Sequence, residues 1–372
     1  MLITRMTKKV RVAVVGAGWW SGRVHLPALA SNPDAELVAI CDANMSRARE
    51  CKELFNSEFA FDNIEDALKV GLDCVLIATP HNQHFLPAMA ALKAGVDVMI
   101  EKPMVLSPKE AWELVKVAEE NNRNLHMGYT FPHSSHVQKV RDLVLSGSLG
   151  DLEYGLGLFT GNVLPLYRGD KDIQKEEGAP FASQADTYTS KKVGGGQLYT
   201  QTTHVVSTML FITGAIPTSI SGFLNGSNEG VDSSNSTIMR TRNKFFATFG
   251  SSGAMTDHNY RIEEYKVIGE LGHASLDTCK GTLESQFKSK PLVVHEPLPK
   301  ELTNPMTATS GALISTFLKR SPVVASGVLG ALTVEVLEAT RRSSLEGKVI
   351  DVNPPIDSAG KFDPKLIKES NV

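Results

Sequence analysis

Long apolar runs are missing from this 372-residue chain, and none approaches the roughly 20 residues that cross a bilayer. No membrane partner is therefore expected. Cysteine is scarce: the four present, Cys41, Cys51, Cys74 and Cys279, form no close pair, which argues against a disulfide framework and against a zinc site. Cys41 and Cys74 fall in apolar strand-like runs, where a free thiol packs as a small hydrophobe, so reduced cysteines in a cytoplasmic protein are expected. Neither sign of charge is in excess. With 38 basic and 41 acidic side chains the net charge is -3, which gives no electrostatic reason to expect nucleic acid as a partner. Internal repeats and low-complexity tracts are lacking too. A secretory leader is not expected, because the apolar stretch after Arg5, Lys8 and Lys9 belongs to the first strand and no small-residue cleavage site fits.

What remains suits a globular protein. A hydrophobic content of 42% with 21% charged residues excludes wholesale disorder, and the length exceeds one ordinary core, so two domains are expected. The boundaries fall at 1–130, 131–352 and a polar tail, 353–372. Up to residue 130, strand and helix alternate with short connections, which implies a parallel sheet. Val10 to Val15, Leu37 to Cys41, Cys74 to Ala78, Val96 to Ile100 and Leu125 to Gly128 read as its strands. Pro27 is wrong for a helix interior, so the first helix is expected to stop after a turn and restart near it. Ser107-Pro108-Lys109-Glu110 is a capping box opening a helix to about Asn121.

After residue 130 the rhythm changes. Strand-like runs at Asp151 to Thr160, Ser219 to Leu224, Ser236 to Arg242, Lys244 to Phe249, Tyr265 to Glu270 and Ala274 to Asp277 suggest antiparallel hairpins and an α+β second domain. Helices are expected at Gln197 to Ile212, about Met306 to Leu318, and Val323 to Leu345. Between 161 and 196 the pattern is irregular, which in a compact domain marks a functional or mobile segment.

Gly16-Ala17-Gly18-Trp19-Trp20-Ser21 follows the first strand and opens a helix. The first glycine allows a tight turn, and the second lets backbone approach a pyrophosphate whose charge meets the helix N-terminus. Asp42 ends the second strand, where a carboxylate accepts from adenosine ribose hydroxyls and repels a 2′-phosphate. The cofactor expected is thus NAD rather than NADP, with Arg47 and Arg49 close enough to complicate that choice. Trp19 and Trp20 either cover the pyrophosphate or pack against the second domain.

Two further stretches carry a resemblance: Ala78-Thr79-Pro80-His81-Asn82-Gln83-His84 with Glu101-Lys102-Pro103 beyond it, and Gly194-Gly195-Gly196 followed by His204. With the glycine turn, they resemble the glucose–fructose oxidoreductase, inositol dehydrogenase and rhizopine-catabolism (GFO/IDH/MocA) family. The resemblance implies an N-terminal doubly wound Rossmann domain and a C-terminal α+β domain on an open, mostly antiparallel sheet. It also implies that Thr79, Pro80 and His84 line the cofactor groove with Glu101 nearby. For His84 a solvated histidine at a helix N-terminus is the competing reading.

Lys102 ends a parallel strand, where doubly wound sheets bind ligands, and its ammonium can hold a hydroxyl and stabilise an alkoxide. His204 is the best general base in the chain. In the family an aspartate precedes this histidine by one helical turn; here that position is Thr200, which bonds hydrogen but cannot balance an imidazolium. Gln201 and Tyr199 offer further polar contacts. The expected activity is hydride transfer between NAD and a secondary hydroxyl of a sugar, polyol or sugar derivative. The alternatives are a redox-neutral enzyme that cleaves glycosides or inverts centres, and a non-catalytic dinucleotide or sugar sensor. His126, His133 and His136 lack a metal-ligand pattern, and no metal is expected. An open sheet face would be apolar and exposed, so a homo-oligomer is expected.

Overall fold

Val10–Val15 (β1) is buried along nearly its whole length, as its unbroken apolar run requires for a central parallel strand. The computed structural model describes residues 8–170, 180–182, 185–226, 230–256 and 261–367. Around β1 lie Ala35–Cys41 (β2), Phe59–Phe61 (β3), Cys74–Ile77 (β4), Asp97–Ile100 (β5) and Leu125–Met127 (β6). All pair in parallel, in the order β3-β2-β1-β4-β5-β6. The order reverses between β1 and β4, and the crevice outside the carboxyl ends at that point is where such sheets bind ligands. Only β3, a three-residue edge strand, is not legible in the sequence.

Pro27 does stand at the start of a new α-helical segment, as expected, but the chain does not break before it. The path is helical from Trp19 to Ser31, with a π-helical turn at Ser21–His25 and an α-helical segment Leu26–Ser31. The wider turn absorbs what proline cannot supply, an N–H for the ladder and room for its ring against the preceding turn. Pro27 therefore sits in the first turn of the α segment, and the chain keeps its direction.

The second sheet contains Leu152–Thr160 (β7), Pro217–Gly226 (β8), Asp232–Thr241 (β9), Phe246–Ser252 (β10), Ile262–Gly269 (β11), Gly272–Asp277 (β12), Thr282–Phe287 (β13), Val293–Val294 (β14) and Ile350–Asp351 (β15). Their order is β14-β13-β12-β11-β7-β10-β9-β8-β15. Only β7 and β10 run parallel; every other neighbouring pair is antiparallel. The fold is thus a Rossmann sheet followed by an open, mostly antiparallel one. Lys244, expected within a strand, has a left-handed φ of 64° in the turn between β9 and β10.

Helices Thr203–Thr213 and Gly327–Glu346 cover one face of this sheet. The first is apolar all round and buried at ten of its positions, as a helix between sheet and helix must be. It sits unusually close to β7: a Cβ on Gly157 would lie 2.4 Å from Val205 Cγ2. Among the described residues the opposite face is bare, exposing Tyr154, Leu156, Phe223, Ile238, Phe246 and Ile268.

Sequence order and packing part company after residue 300. Helix Ala308–Phe317 returns to the first sheet, where Leu313 and Ile314 are buried with Val12, Leu29 and Met99. Each such side chain contributes about 2 kcal/mol by leaving water. The polar tail packs on the other core cluster: Phe362 stacks on Trp112 with ring planes 1° apart, and Ile356 is buried. Among the described residues no helix is long and apolar enough to cross a membrane.

Candidate active site

A cleft of about 870 Å³ runs from the glycine turn after β1, past the ends of β4 and β5, to the helix carrying His204. Gly16 turns the chain at φ 97°, and a Cβ there would meet Ala78 O at 2.5 Å. A Cβ on Gly18 would meet nothing within 4 Å, so the chain there lies open for a ligand to approach the backbone. Asp42 Oδ2 accepts from the Ala17 amide at 2.9 Å, and Oδ1 accepts from the Asn44 amide at 2.9 Å. Arg47 Nη1 lies 3.6 Å from Oδ2, whereas Arg49 is exposed and lines no part of the cleft.

Trp20 is tied into the site through its indole. Its indole N–H donates to Glu101 Oε1 at 3.0 Å, and His25 Nε2 meets the same oxygen at 2.8 Å. Residues five apart would diverge on an α-helix; the π turn lets them converge on one carboxylate. Glu101 Oε2 accepts from the Lys102 amide at 3.0 Å. Burial alone would raise the Glu101 carboxyl, but the bond from His25 and the neighbouring Lys102 hold it below the usual range. His25 was not expected at the site, and nothing in sequence spacing marks it. Its other nitrogen bonds Ser310 Oγ at 2.8 Å, tying the returning helix to the cleft.

The peptide between Lys102 and Pro103 is cis. Lys102 Nζ donates to the backbone oxygen of Thr200 at 2.9 Å, and burial pushes its pKa down while Glu101 opposes that shift. His84, for which a groove lining and a solvated residue were both considered, is fully buried. Its Nδ1 faces Pro103 O at 2.9 Å and its Nε2 faces Thr79 O at 2.8 Å, so it ties the loop after β4 to the loop after β5. It braces the groove wall and is itself part of the cleft lining. Thr79 and Pro80 border the cleft, and Thr79 Oγ1 is buried with no partner.

His204 lies between two rings. Phe159 stacks on it at 5.8 Å and Phe131 meets it edge-on at 5.8 Å. Its Nδ1 is buried without a hydrogen-bond partner among the described residues. Burial, reinforced by the charges of Lys102 and Arg261, holds the imidazole well below its ordinary pKa, so it is neutral and able to accept a proton.

Thr200 does not share the face of His204. Residues Leu198–Thr202 form a second π turn, which breaks the one-turn spacing assumed for an α-helix. The Thr200 hydroxyl donates to Gly196 O at 2.6 Å and meets Tyr167 OH at 2.6 Å, 1% exposed. Its part in the site is its carbonyl oxygen, which anchors Lys102. Gln201 takes its place on the cleft wall. Tyr199 points away, donating to Glu338 at 3.0 Å, and Tyr129 is a core residue bonded to Thr203. Arg261, unexpected from sequence, borders the cleft beside His204. Parts of the irregular segment, residues 171–179 and 183–184, lie outside the described residues.

Two sequence models bear on this arrangement. One, for the oxidoreductase family with an NAD-binding Rossmann fold (GFO/IDH/MocA), matches residues 10–129; the other, for the C-terminal domain of the same family, matches residues 137–275. The chain belongs to the GFO/IDH/MocA family. Within this oxidoreductase family it is 31% identical to a D-glucoside 3-dehydrogenase of Escherichia coli over 144 residues, 38% of this chain and 41% of that protein. That match spans less than half of the relative's length. A dTDP-3,4-didehydro-2,6-dideoxy-alpha-D-glucose 3-reductase of Saccharopolyspora spinosa is 25% identical over 73% of this chain and 76% of its own. Among solved structures, GenD2 from gentamicin A biosynthesis, in complex with NAD, superposes with a TM-score of 0.76 at 22% identity, covering 94% of this chain and 98% of that one. Levoglucosan dehydrogenase, in complex with NADH and L-sorbose, gives 0.77 at 16% identity, covering 93% and 100%. At these identities the superpositions establish the fold alone.

Proposed function

We propose that this GFO/IDH/MocA protein is an NAD-dependent dehydrogenase acting on a secondary hydroxyl of a sugar, polyol or sugar derivative. The carrying observation is that Lys102 and His204 border the same cleft into which the Gly16–Gly18 turn opens. The residues present fit the dinucleotide: the open approach at Gly18 and the orphaned Thr79 hydroxyl and Trp19 indole N–H are groups that a polar ligand would satisfy. Gly16 to Trp20 and Asp42 would hold its adenosine and pyrophosphate half, and Thr79, Pro80, Glu101 and Lys102 its nicotinamide half. When bound, NAD supplies the acceptor for a hydride from the carbinol carbon. Lys102 donates a hydrogen bond to the substrate oxygen and stabilises the developing alkoxide, while neutral His204 takes the hydroxyl proton. Gln201 lines the substrate end.

The preference for NAD over NADP in this reading rests on Asp42, whose carboxylate would face the ribose and repel a 2′-phosphate, although Arg47 at 3.6 Å offsets part of that charge. Residues 1–130 bind the cofactor, and residues 131–352 carry substrate contacts and a face for self-association. Relatives named inositol 2-dehydrogenase and D-glucoside 3-dehydrogenase support the sugar or polyol class. Unpaired thiols at all four cysteines suit a reducing, cytoplasmic compartment.

The test is nicotinamide absorbance with NAD and NADP over free sugars, inositols and glycosides. Reduction of NAD by a free sugar or polyol is expected. Consumption of a glycoside without net NADH would instead favour the redox-neutral chemistry, and binding without any turnover would favour a sensor.

A further inference from the structure

Arg261 belongs to no motif that defines the cofactor site, yet it stands at the substrate end of the cleft. Its guanidinium lies over Phe159 at 5.5 Å and over Phe131 at 5.8 Å, the two rings that also hold His204. Both groups are thus fixed against one aromatic wall. The side chain, just before β11, remains 38% exposed. Its partners are weak: Nε approaches Cys279 Sγ at 3.5 Å, and Nη2 lies 3.8 Å from Glu263 Oε2, beyond hydrogen-bond reach. That Glu263 oxygen is itself buried without a hydrogen-bond partner. An arginine beside two rings on the cleft wall, whose nearest carboxylate among the described residues is Glu263 at 3.8 Å, is set up to receive a planar or tetrahedral oxyanion.

We propose that Arg261 recognises an acidic group on the substrate, so that this cleft takes sugars or polyols bearing a carboxylate or a phosphate. The inference rests on the dehydrogenase reading above and narrows its substrate class. Lys102 and Arg261 place two cations near His204; Glu101 is already engaged by Trp20, His25 and the Lys102 amide. The carboxyl pKa of Glu263, 3.8 Å from Arg261, is pushed up to about 7 by burial, so that group offsets only part of the charge at neutral pH. An anion on the substrate balances that excess. A neutral sugar would leave the Arg261 fork desolvated and unbonded, and that penalty generates discrimination.

The test compares substrates differing only in the acidic group: D-glucose with D-glucuronate and with D-glucose 6-phosphate, and D-galactose with D-galacturonate. Turnover is read by NADH absorbance and binding by calorimetry on the NAD-loaded protein. The acidic member should have the higher kcat/KM by about ten- to a hundredfold. The Arg261→Gln variant should collapse that ratio, and the Glu263→Gln variant, which removes the competing carboxylate, should raise it severalfold. Opposite effects of the two variants cannot come from misfolding. Preference for glucuronate and galacturonate assigns a carboxylate; preference for glucose 6-phosphate alone assigns a phosphate. Equal kcat/KM within pairs would overturn the inference and leave the dehydrogenase reading standing. Arg261-dependent binding of an acidic sugar without any NAD reduction would uphold the inference and overturn the dehydrogenase. Turnover of the neutral members alone would overturn the inference only, and neither binding nor turnover of any sugar, acidic or neutral, would overturn both.

Discussion

At the scale of single residues, His204 and Lys102 divide the work by their surroundings. Lys102 is anchored through Thr200 O, so its ammonium is oriented before substrate arrives. Replacement by methionine keeps the length and removes the charge, and kcat/KM should fall by about 10²–10³-fold. Tryptophan fluorescence should show NAD binding retained; full turnover in Lys102→Met would remove the lysine from the mechanism. For His204 the prediction concerns pH. Its folded pKa lies well below 6.5, so the neutral base is present at all pH values above that depressed point and is lost only when pH falls through it. The acid limb of kcat/KM should therefore sit below 6.5, and the His204→Gln variant should lose both the limb and about 10²–10⁴-fold in rate. A limb at or above 6.5 in the unaltered protein would assign it to another group. These two residues could be found in the sequence because each stands at a position with a physical marker, a strand end and the start of an apolar helix. Arg261 and His25 had no such marker: they matter through partners more than 70 residues away.

Among elements, the two π turns explain most of what sequence spacing misjudged. Periodicity presumes 3.6 residues per turn. At Ser21–His25 and Leu198–Thr202 that presumption fails, and both turns lie at the cleft. The first brings Trp20 and His25 onto Glu101; the second turns Thr200 away and leaves Gln201 on the wall. The proline hinted at the first, but no residue announced the second. Strands were legible where they were long and apolar, whereas β3, β13 and β14 lie at or near sheet edges, where polarity and short length blur the pattern. How the His204 helix is seated on β7 is a testable matter of steric fit. Gly157→Ala would place a methyl 2.4 Å from Val205 Cγ2, forcing the helix off the sheet. A loss of about 1–3 kcal/mol is expected, read as a lower Tm, together with reduced kcat because His204 moves with the helix. Adding Val205→Ala should restore part of both. A double variant no better than the single one would show that Gly157 is required for something other than this contact.

For the molecule as a whole, the bare face of the second sheet is the feature without a partner. Leu156 on β7 and Ile238 on β9 both flank Thr248 of β10, and Tyr154, Phe246 and Ile268 continue the apolar band one pair along the strands. A scattered exposed leucine requires no explanation, but a contiguous band across four strands does. Helices cover the other face, so the sheet does not need this one for its own core, and a second copy presenting the same band would bury both. The expected outcome in solution is a homo-oligomer, measured by sedimentation velocity or light scattering after gel filtration. In the Leu156→Asp, Ile238→Asp double variant, charges replace side chains that are 37% and 51% exposed, so a protomer's own stability should shift only slightly while like charges meet across any face-to-face contact. That variant should run as a monomer with an unchanged circular dichroism spectrum. If it keeps the parent's oligomeric state, association uses another surface, and if the parent is itself monomeric at working concentration, the band is not a self-association face. Activity of the dissociated variant would then decide whether assembly matters to the cleft, which opens away from these side chains on the helix-covered side of β7.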